Sequence, residues 1–437
     1  MKYQKNFFAL VFLFAGLFLL GCKKDKDSDG LSKVDIEKIS KLPYSELSPE
    51  EQKQKLENES LAFLELCNAA QSSLAVDALQ NLNNLLDEAG VDFFESTSEK
   101  SAIKVKSVQA AIEYSYFYGV YTWNASKKDW DFSSSKSELK FVFPAKKGST
   151  NNNAALSIKA ASSNVLVGEL IYMPKSVTCT LTVSNKEEAK IEFSADYKNN
   201  NPAPVKTEFK LSTGDGYTYW WKMVKDTESQ FTMKLTYKQQ TMVEVMFKTG
   251  AKFDQIMDQI GGSGDIYKLL DKANGYMMIM DDLALVYTID LANFIPKSKK
   301  IEDDYYSLMW ALEDTWPNNQ KFFELKGKYI KDYSDNSAKA FNDYVKVGLF
   351  SIKDNYKIAD IFQKSEKVDT YSDNCVWVPT QNMWKYQGAI VPLYDKYKAV
   401  EYLKFNDDTV LAASVYFSEG FDQLENKIEE FIRSFDR

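Results

Sequence analysis

The stretch that most constrains the fold covers residues 176–249, where apolar and polar residues alternate through run after run. Successive side chains of a strand point to opposite faces of a sheet, so this alternation predicts strands with one buried and one hydrated face. The clearest runs occupy residues 177–183, 191–197, 205–211 and 231–237. Because the runs follow one another closely along the chain, we predict a meander of antiparallel strands.

The composition is that of a folded protein with little affinity for nucleic acid. The 437 residues are 44% hydrophobic, which is sufficient for a large core, and the net charge is −8. Positive charge comes almost entirely from lysine, since the only arginines are Arg433 and Arg437. Phosphate recognition favours the planar guanidinium group, so we expect no nucleic-acid partner.

The chain contains no histidine. This excludes serine nucleophiles activated by histidine and histidine-ligated zinc or iron, and it leaves carboxylates, lysine or tyrosine for any catalysis. The cysteines have no metal-ligand spacing, so we predict neither a metal nor a cofactor. They are Cys22, Cys67, Cys179 and Cys375. Cys179 lies on the apolar side of the 177–183 run, and we expect its thiol to be buried in the core.

Residues 1–21 have the pattern of a signal peptide, with a charged start, an apolar core at residues 7–20 and Leu-Leu-Gly directly before Cys22. This ending resembles the lipobox of bacterial lipoproteins. The resemblance implies that Cys22 is acylated and becomes the first residue of the mature chain. An ordinary secretory signal or a membrane anchor is the alternative, but a spanning helix needs about 20 apolar residues, more than this core has.

Residues 23–30 form a charged run directly after Cys22. They resemble the export signal behind the lipidated cysteine of surface lipoproteins in Bacteroidota, which implies a lipid-anchored protein on the outer face of the outer membrane. Asp25 begins an alternative pattern, an EF-hand calcium loop, but the twelfth position of that loop is Ile36 instead of a bidentate glutamate. We therefore interpret residues 22–45 as a lipidated tether.

The remaining sequence predicts an α+β fold. Helix start signals and apolar stripes predict a helical pair in residues 46–100, and residues 101–252 are predicted to form the antiparallel sheet. Residues 253–365 are predicted to be mainly helical, with a helix or buried segment at 276–294, and residues 366–437 to return as strands and a C-terminal helix on the same core. An open sheet needs a cover, so we predict a large curved antiparallel β-sheet covered on one face by helices.

Methionine is concentrated in one part of the chain, since eight of the twelve lie between positions 223 and 280. Methionine adapts to irregular apolar shapes. Met233 in the sheet, with Met277 and Met280 in its predicted helical cover, are therefore candidates to line a pocket for an apolar ligand such as a lipid tail. Ordinary core packing is the alternative interpretation of the same residues.

Residues 217–221 place large rings on both faces of one predicted strand. An exposed ring can stack on the apolar face of a sugar, so Trp220 and Trp221 are candidates for glycan binding. The alternative is that one ring lies in the core and the other covers the edge of the sheet.

Asp281 and Asp282 are the strongest catalytic candidates, because apolar residues surround them from position 276 to 291. Burial and a neighbouring like charge raise the pKa of a carboxyl group, which is how glycosidases obtain an acid near neutral pH. However, adjacent side chains diverge in a helix and in a strand, so this pair is poorly arranged to flank one bond.

The sequence therefore predicts a noncatalytic cell-surface lipoprotein that binds an apolar or a glycan ligand. A carboxylate-dependent glycan hydrolase is one alternative, and a purely structural or protein-interaction lipoprotein is another. No catalytic residue is assigned. The membrane, reached through the lipid on Cys22, is the expected partner besides the ligand.

Overall fold

The computed structural model describes residues 36–69, 73–89, 115, 118–167, 171–198, 200–225, 228–250 and 271–417. The predicted signal peptide, the lipidation site Cys22 and the predicted C-terminal helix lie outside these residues. No helix in the described ranges is long and apolar enough to cross a membrane.

The described residues form one open sheet of sixteen strands. The strands are β1 (Gly119–Asn124), β2 (Asp129–Ser134), β3 (Leu139–Phe143), β4 (Ala154–Val167), β5 (Ile171–Val183), β6 (Lys186–Asp196), β7 (Lys206–Thr213), β8 (Tyr217–Lys225), β9 (Ser229–Tyr237), β10 (Gln240–Thr249), β11 (Lys272–Ile279), β12 (Leu283–Asp290), β13 (Val345–Ser351), β14 (Tyr356–Val378), β15 (Met383–Lys404) and β16 (Val410–Ala412). From β3 to β16 each strand pairs with the next one along the chain, whereas β1 lies between β2 and β3. β1 and β3 are parallel, and all other pairs are antiparallel, so the predicted antiparallel meander is confirmed.

The described residues also form six helices. They are α1 (Ile36–Ile39), α2 (Pro49–Ala69), α3 (Leu74–Ala89), α4 (Leu291–Glu313), α5 (Phe322–Tyr344) and α6 (Ala413–Tyr416). α2 begins where the sequence predicts, because Ser48 and Glu51 form a capping box. The backbone amide of Ser48 donates to Oε2 of Glu51 over 2.8 Å, and the amide of Glu51 donates to Oγ of Ser48 over 3.4 Å.

One apolar residue from each strand between β5 and β13 lies on the same face of the sheet, and we call this line the central row. Residues that pair directly across antiparallel strands share a face, which is why the row is continuous. The row consists of Val177, Phe193, Phe209, Trp221, Met233, Val245, Met277, Leu285 and Leu349. Cys179 shares this face, as predicted. Its side chain is half-buried rather than fully buried, and burial raises the pKa of its thiol.

Two helices pack on the sheet near its opposite ends. Ala78 and Leu82 of α3 lie in one core cluster with Phe143 and Leu181. Leu56 of α2 lies in a second cluster with Ile358, Leu403 and residues of α6. Complete burial of such a side chain stabilises the fold by about 1.5–3 kcal/mol, so these clusters hold both helices to the sheet.

Residues 272–290 form a hairpin, so the helical alternative predicted for 276–294 is wrong over most of that range. The other alternative, a buried segment, agrees with the complete burial of Tyr276 and Ala284. Ile279 of β11 pairs with Leu283 of β12, and the turn between them contains Met280 and Asp281, with φ of +57° and +56°. Turns with positive φ usually contain glycine or asparagine. A Met-Asp turn lacks that signal, and the two short strands resemble one long apolar segment in the sequence.

Strands also replace the helix predicted after residue 344. α5 ends at Tyr344, and the backbone of Val345 is extended, with φ −118° and ψ 128°. β13 then pairs with β12, so that Leu349 lies opposite Leu285. Residues 345–351 form a strand because β12 offers an edge for pairing, and residues 356–365 then pair with β13 and β15, so pairing decides between helix and strand.

Candidate functional site

The structure places the three candidate methionines in the sheet or its turns rather than on opposite sides of a cavity. Met233 and Met277 both belong to the central row, with Val245 between them. Met280 lies in the β11–β12 turn and is 4% exposed. The predicted cover containing Met277 and Met280 is therefore wrong. Apolar-ligand binding at these residues stays a prediction.

Trp220 and Trp221 lie on opposite faces of β8, so they cannot form one binding platform. Nε1 of Trp220 donates to Oε1 of Glu208 over 2.9 Å. The ring of Trp221 lies between Phe209 and Phe231 in neighbouring strands, with centroid distances of 6.0 and 6.3 Å. The two residues thus contact different groups, and nothing in this region joins them into a site.

Asp281 and Asp282 also separate, as the sequence predicts for adjacent side chains. Oδ2 of Asp281 accepts from the backbone amide of Thr241 over 3.2 Å. Asp282 is completely buried, and its Oδ1 accepts from Oγ of Ser351 over 2.7 Å and from the amide of Lys353 over 3.1 Å. Each carboxylate therefore holds a turn of the sheet, and the two do not face a common space.

Asp282 belongs to a buried cluster that includes a serine and a lysine, the components of some hydrolytic sites. Nζ of Lys55 lies 2.7 Å from Oγ of Ser351 and 3.2 Å from Oδ2 of Asp282, and it also pairs with Asp354. Ser351 is completely buried, so no substrate reaches its hydroxyl.

The charge state of Lys55 also opposes catalysis. Burial lowers the pKa of its ammonium group, but hydrogen bonds to Asp354 and Asp282 outweigh burial and hold this pKa above its ordinary value. A lysine that activates a serine must lose its proton near neutral pH, which requires a lowered pKa. The cluster therefore anchors α2 to the β12 and β13 ends and has no catalytic geometry.

A surface depression of about 480 Å³ lies where the loop between α4 and α5 meets the tip of the β14–β15 hairpin. Its lining is polar except for one large ring. The lining residues are Asp314, Thr315, Asn318, Asn319, Gln320, Trp377 and Asn382. Pockets that bind small molecules commonly have volumes of about 300–1,000 Å³, so the depression has the size of a ligand site.

Trp384 of β15 holds the α4–α5 loop against the hairpin. Its backbone amide donates to the carbonyl of Pro317 over 3.0 Å, and its Nε1 donates to the carbonyl of Asn319 over 2.8 Å. The ring of Trp377 packs edge-on against Trp384 at 5.9 Å. The walls of the depression are therefore positioned before any ligand arrives, which lowers the entropic cost of binding.

Part of the polar lining serves the loop itself. Nδ2 of Asn319 donates to Oγ1 of Thr315 over 3.0 Å, and Oγ1 of Thr315 donates to the carbonyl of Leu312 over 2.6 Å. Within the described ranges, the remaining four polar side chains have no hydrogen-bond partner. They belong to Asp314, Asn318, Gln320 and Asn382. These groups are available to bind a polar ligand beside the half-buried ring of Trp377.

Sequence reasoning missed this site because its two halves are far apart in the chain. Asn319 and Trp384, which join them, are 65 residues apart. The local signals were polar turns, Asn318-Asn319-Gln320 after Pro317 and Asn382 before β15, but such turns are common and carry no chemistry by themselves. The pairing of β14 with β15 brings Trp377 to the same end of the molecule.

No protein-family model, curated protein or solved structure matches the chain. Within the described part of the chain, no group of three or more cysteine, aspartate or glutamate side chains is placed to hold a metal ion. The depression at Trp377 is therefore the basis on which we assign a function.

Proposed function

We propose that this protein is a noncatalytic lipoprotein of the outer membrane, anchored at the cell surface by a lipid on Cys22, that binds a glycan in the depression at Trp377. The observation that carries the proposal is the ring of Trp377 beside amide and carboxylate side chains that have no hydrogen-bond partner among the described residues. A sugar ring has apolar C–H faces and hydroxyl edges. An indole ring fits the first, and amide or carboxylate groups fit the second.

The lining also favours binding over hydrolysis. Glycosidases use two carboxyl groups on either side of the scissile bond. Asp314 is the one carboxylate among the residues that line the depression in the described structure. The other candidate pair, Asp281 and Asp282, is committed to backbone and side-chain contacts inside the sheet.

Trp377→Ala should weaken glycan binding by at least about tenfold, because large aromatic side chains in preorganised sites commonly contribute about 2 kcal/mol or more. The purified lipoprotein is screened against neutral and acidic glycans, and the affinity for each bound glycan is measured by calorimetry. Asn318→Ala gives a second test, because this exposed side chain has no partner within the described structure. Gln381→Ala, in the hairpin turn but outside the lining, is the control.

Three outcomes would contradict this proposal. If no glycan binds, or if both Trp377→Ala and Asn318→Ala bind as tightly as the wild type, the depression is not a glycan site. If the protein instead releases reducing sugar from a bound glycan, the hydrolase alternative is favoured and the noncatalytic assignment fails.

Cys22→Ala should transfer the protein from the membrane fraction to the soluble fraction. The reason is that the acyl chains supply the affinity for the bilayer, and the described residues contain no spanning helix. Fractionation followed by mass spectrometry of the mature N-terminus measures both effects, and Cys67→Ala serves as the control. An unchanged distribution with no acyl mass on the wild-type N-terminus would refute lipid anchoring.

We further propose that α2 and α3 cover one face of a curved sheet, the face of the central row, whereas α1 packs on the opposite face through Ile39. Two contacts support a cover on the face of the central row. Phe141 and Leu181, which pack in one cluster with α3, share that face, and Leu285, which packs in one cluster with Leu56 of α2, is a member of the row.

A further inference from the structure

A line of exposed aromatic residues on α4 leads into the depression. Tyr306, Trp310 and Asp314 are spaced four residues apart, so they lie on one face of the helix, about 6 Å apart along its axis. Asp314 caps α4 but keeps helical backbone angles, φ −62° and ψ −20°, so the spacing continues into the depression. We call Tyr306 and Trp310 the aromatic line.

Both rings of the aromatic line are open to solvent. Trp310 is 73% exposed and Tyr306 is 52% exposed. Single exposed apolar residues are common on protein surfaces, but these two large rings share one helix face with Asp314 of the depression. The depression can hold one sugar ring over Trp377, and the aromatic line offers stacking surfaces beyond it.

The charges around this surface disfavour an anionic ligand. None of the residues that line the depression within the described structure is lysine or arginine, and Asp314 carries a carboxylate. The lysines of α4 next to the aromatic line are paired, Lys299 with Asp303 at 3.2 Å and Lys300 with Asp304 at 2.7 Å. A carboxylate or sulfate on a ligand in the depression would meet Asp314, and no residue of the described lining is a cation.

Resting on the glycan-binding function proposed above, we infer that the ligand is an uncharged glycan chain of several sugar units rather than a single terminal sugar. One unit occupies the depression over Trp377, and the following units stack on Trp310 and then on Tyr306. Each ring adds contact area to a chain that is already held in the depression, so affinity increases with chain length.

Chain length and Trp310→Ala test this inference together. The probes are oligosaccharides of one to six units, built from glucose, mannose or galactose according to which neutral glycan binds in the screen. We expect the affinity of the wild type to rise at least tenfold from one unit to four. Trp310→Ala should remove most of this gain and leave the affinity for one unit unchanged, whereas Trp377→Ala should weaken binding at every length.

Leu308→Ala is the matched control, because Leu308 is 44% exposed on α4 and lies two residues from both rings, on another side of the helix. The affinity of Leu308→Ala should equal that of the wild type for oligosaccharides of every length. Since Trp310 is 73% exposed, its removal leaves the core intact, and an unchanged unfolding midpoint verifies this.

The extended site would be overturned if affinity does not depend on chain length, or if the Trp310→Ala protein keeps the full gain in affinity. Neither result would contradict glycan binding at Trp377, which is tested separately by Trp377→Ala.

The same glycan oxidised at C6 to carboxylates tests whether the ligand must be uncharged. We expect the oxidised chain to bind at least tenfold more weakly. Equal or tighter binding would overturn the inference that the ligand is uncharged. If Trp310→Ala instead abolishes self-association of the protein in sedimentation, the aromatic line is a protein contact and not a glycan subsite.

Discussion

Asp282→Ala should lower the free energy of unfolding by about 3–5 kcal/mol, the range expected when one member of a buried ion pair is removed. Asp282 is completely buried and binds Lys55, Ser351 and the amide of Lys353. Its loss leaves the serine hydroxyl and the backbone amide without their acceptor and removes the tie between α2 and the sheet. Unfolding in urea, followed by circular dichroism, measures the change.

Asp354→Ala is the control for this experiment. Asp354 pairs with the same ammonium group of Lys55, but its side chain is 47% exposed. Solvent screens an exposed pair, so this change should cost less than about 1 kcal/mol. If the two substitutions destabilise the protein equally, Asp282 does not anchor α2. If Asp282→Ala leaves stability intact, the buried cluster has another role.

Phe143→Ala should lower the free energy of unfolding by about 3–5 kcal/mol, which is typical for removal of a buried phenylalanine. Phe143 is 0% exposed and packs in the cluster that joins α3 to β3, β4 and β5. The substitution removes the transfer free energy of the ring and leaves a cavity that the rigid sheet cannot close. Urea unfolding measures the loss, and exposure of α3 to protease reports whether the helix has come away.

Phe132→Ala is the matched control for the loss of a phenyl ring. Phe132 lies on the edge strand β2, is 59% exposed, and contacts Tyr121 with a centroid distance of 5.1 Å. We expect it to change stability by less than about 1 kcal/mol. Equal effects from both substitutions would mean that the α3 cluster is not a close-packed core.

The strands of the central row from β5 to β10 could be predicted because their signal is local. Alternation in residues 177–183 and 231–237 assigns each side chain to a face without knowledge of its neighbours. The pairing of Val177 with Phe193, and of Met233 with Val245, then follows from matching apolar faces. Ser48 and Glu51 are local as well, since a capping box involves one turn of backbone.

The β11–β12 hairpin could not be predicted in the same way. Met280 and Asp281 adopt positive φ without glycine, because the turn is stabilised by contacts from outside the segment. Asp281 accepts from the amide of Thr241, and Asp282 accepts from Ser351, 69 residues away. A prediction from the periodicity of apolar residues cannot include such contacts. Without them, a continuous apolar segment cannot be distinguished from a helix.

The sequence by itself determined which residues form the alternating strands and which face each side chain takes. It also determined where α2 begins and which chemistries the absence of histidine excludes. These properties depend on residue type and on spacing within a few positions. The tertiary structure alone decided the role of Asp282 and the depression at Trp377. The depression exists because β14 pairs with β15 and Trp384 binds the loop after α4. Contacts between distant parts of the chain depend on how strands pair and helices pack, and no local pattern in the sequence specifies them.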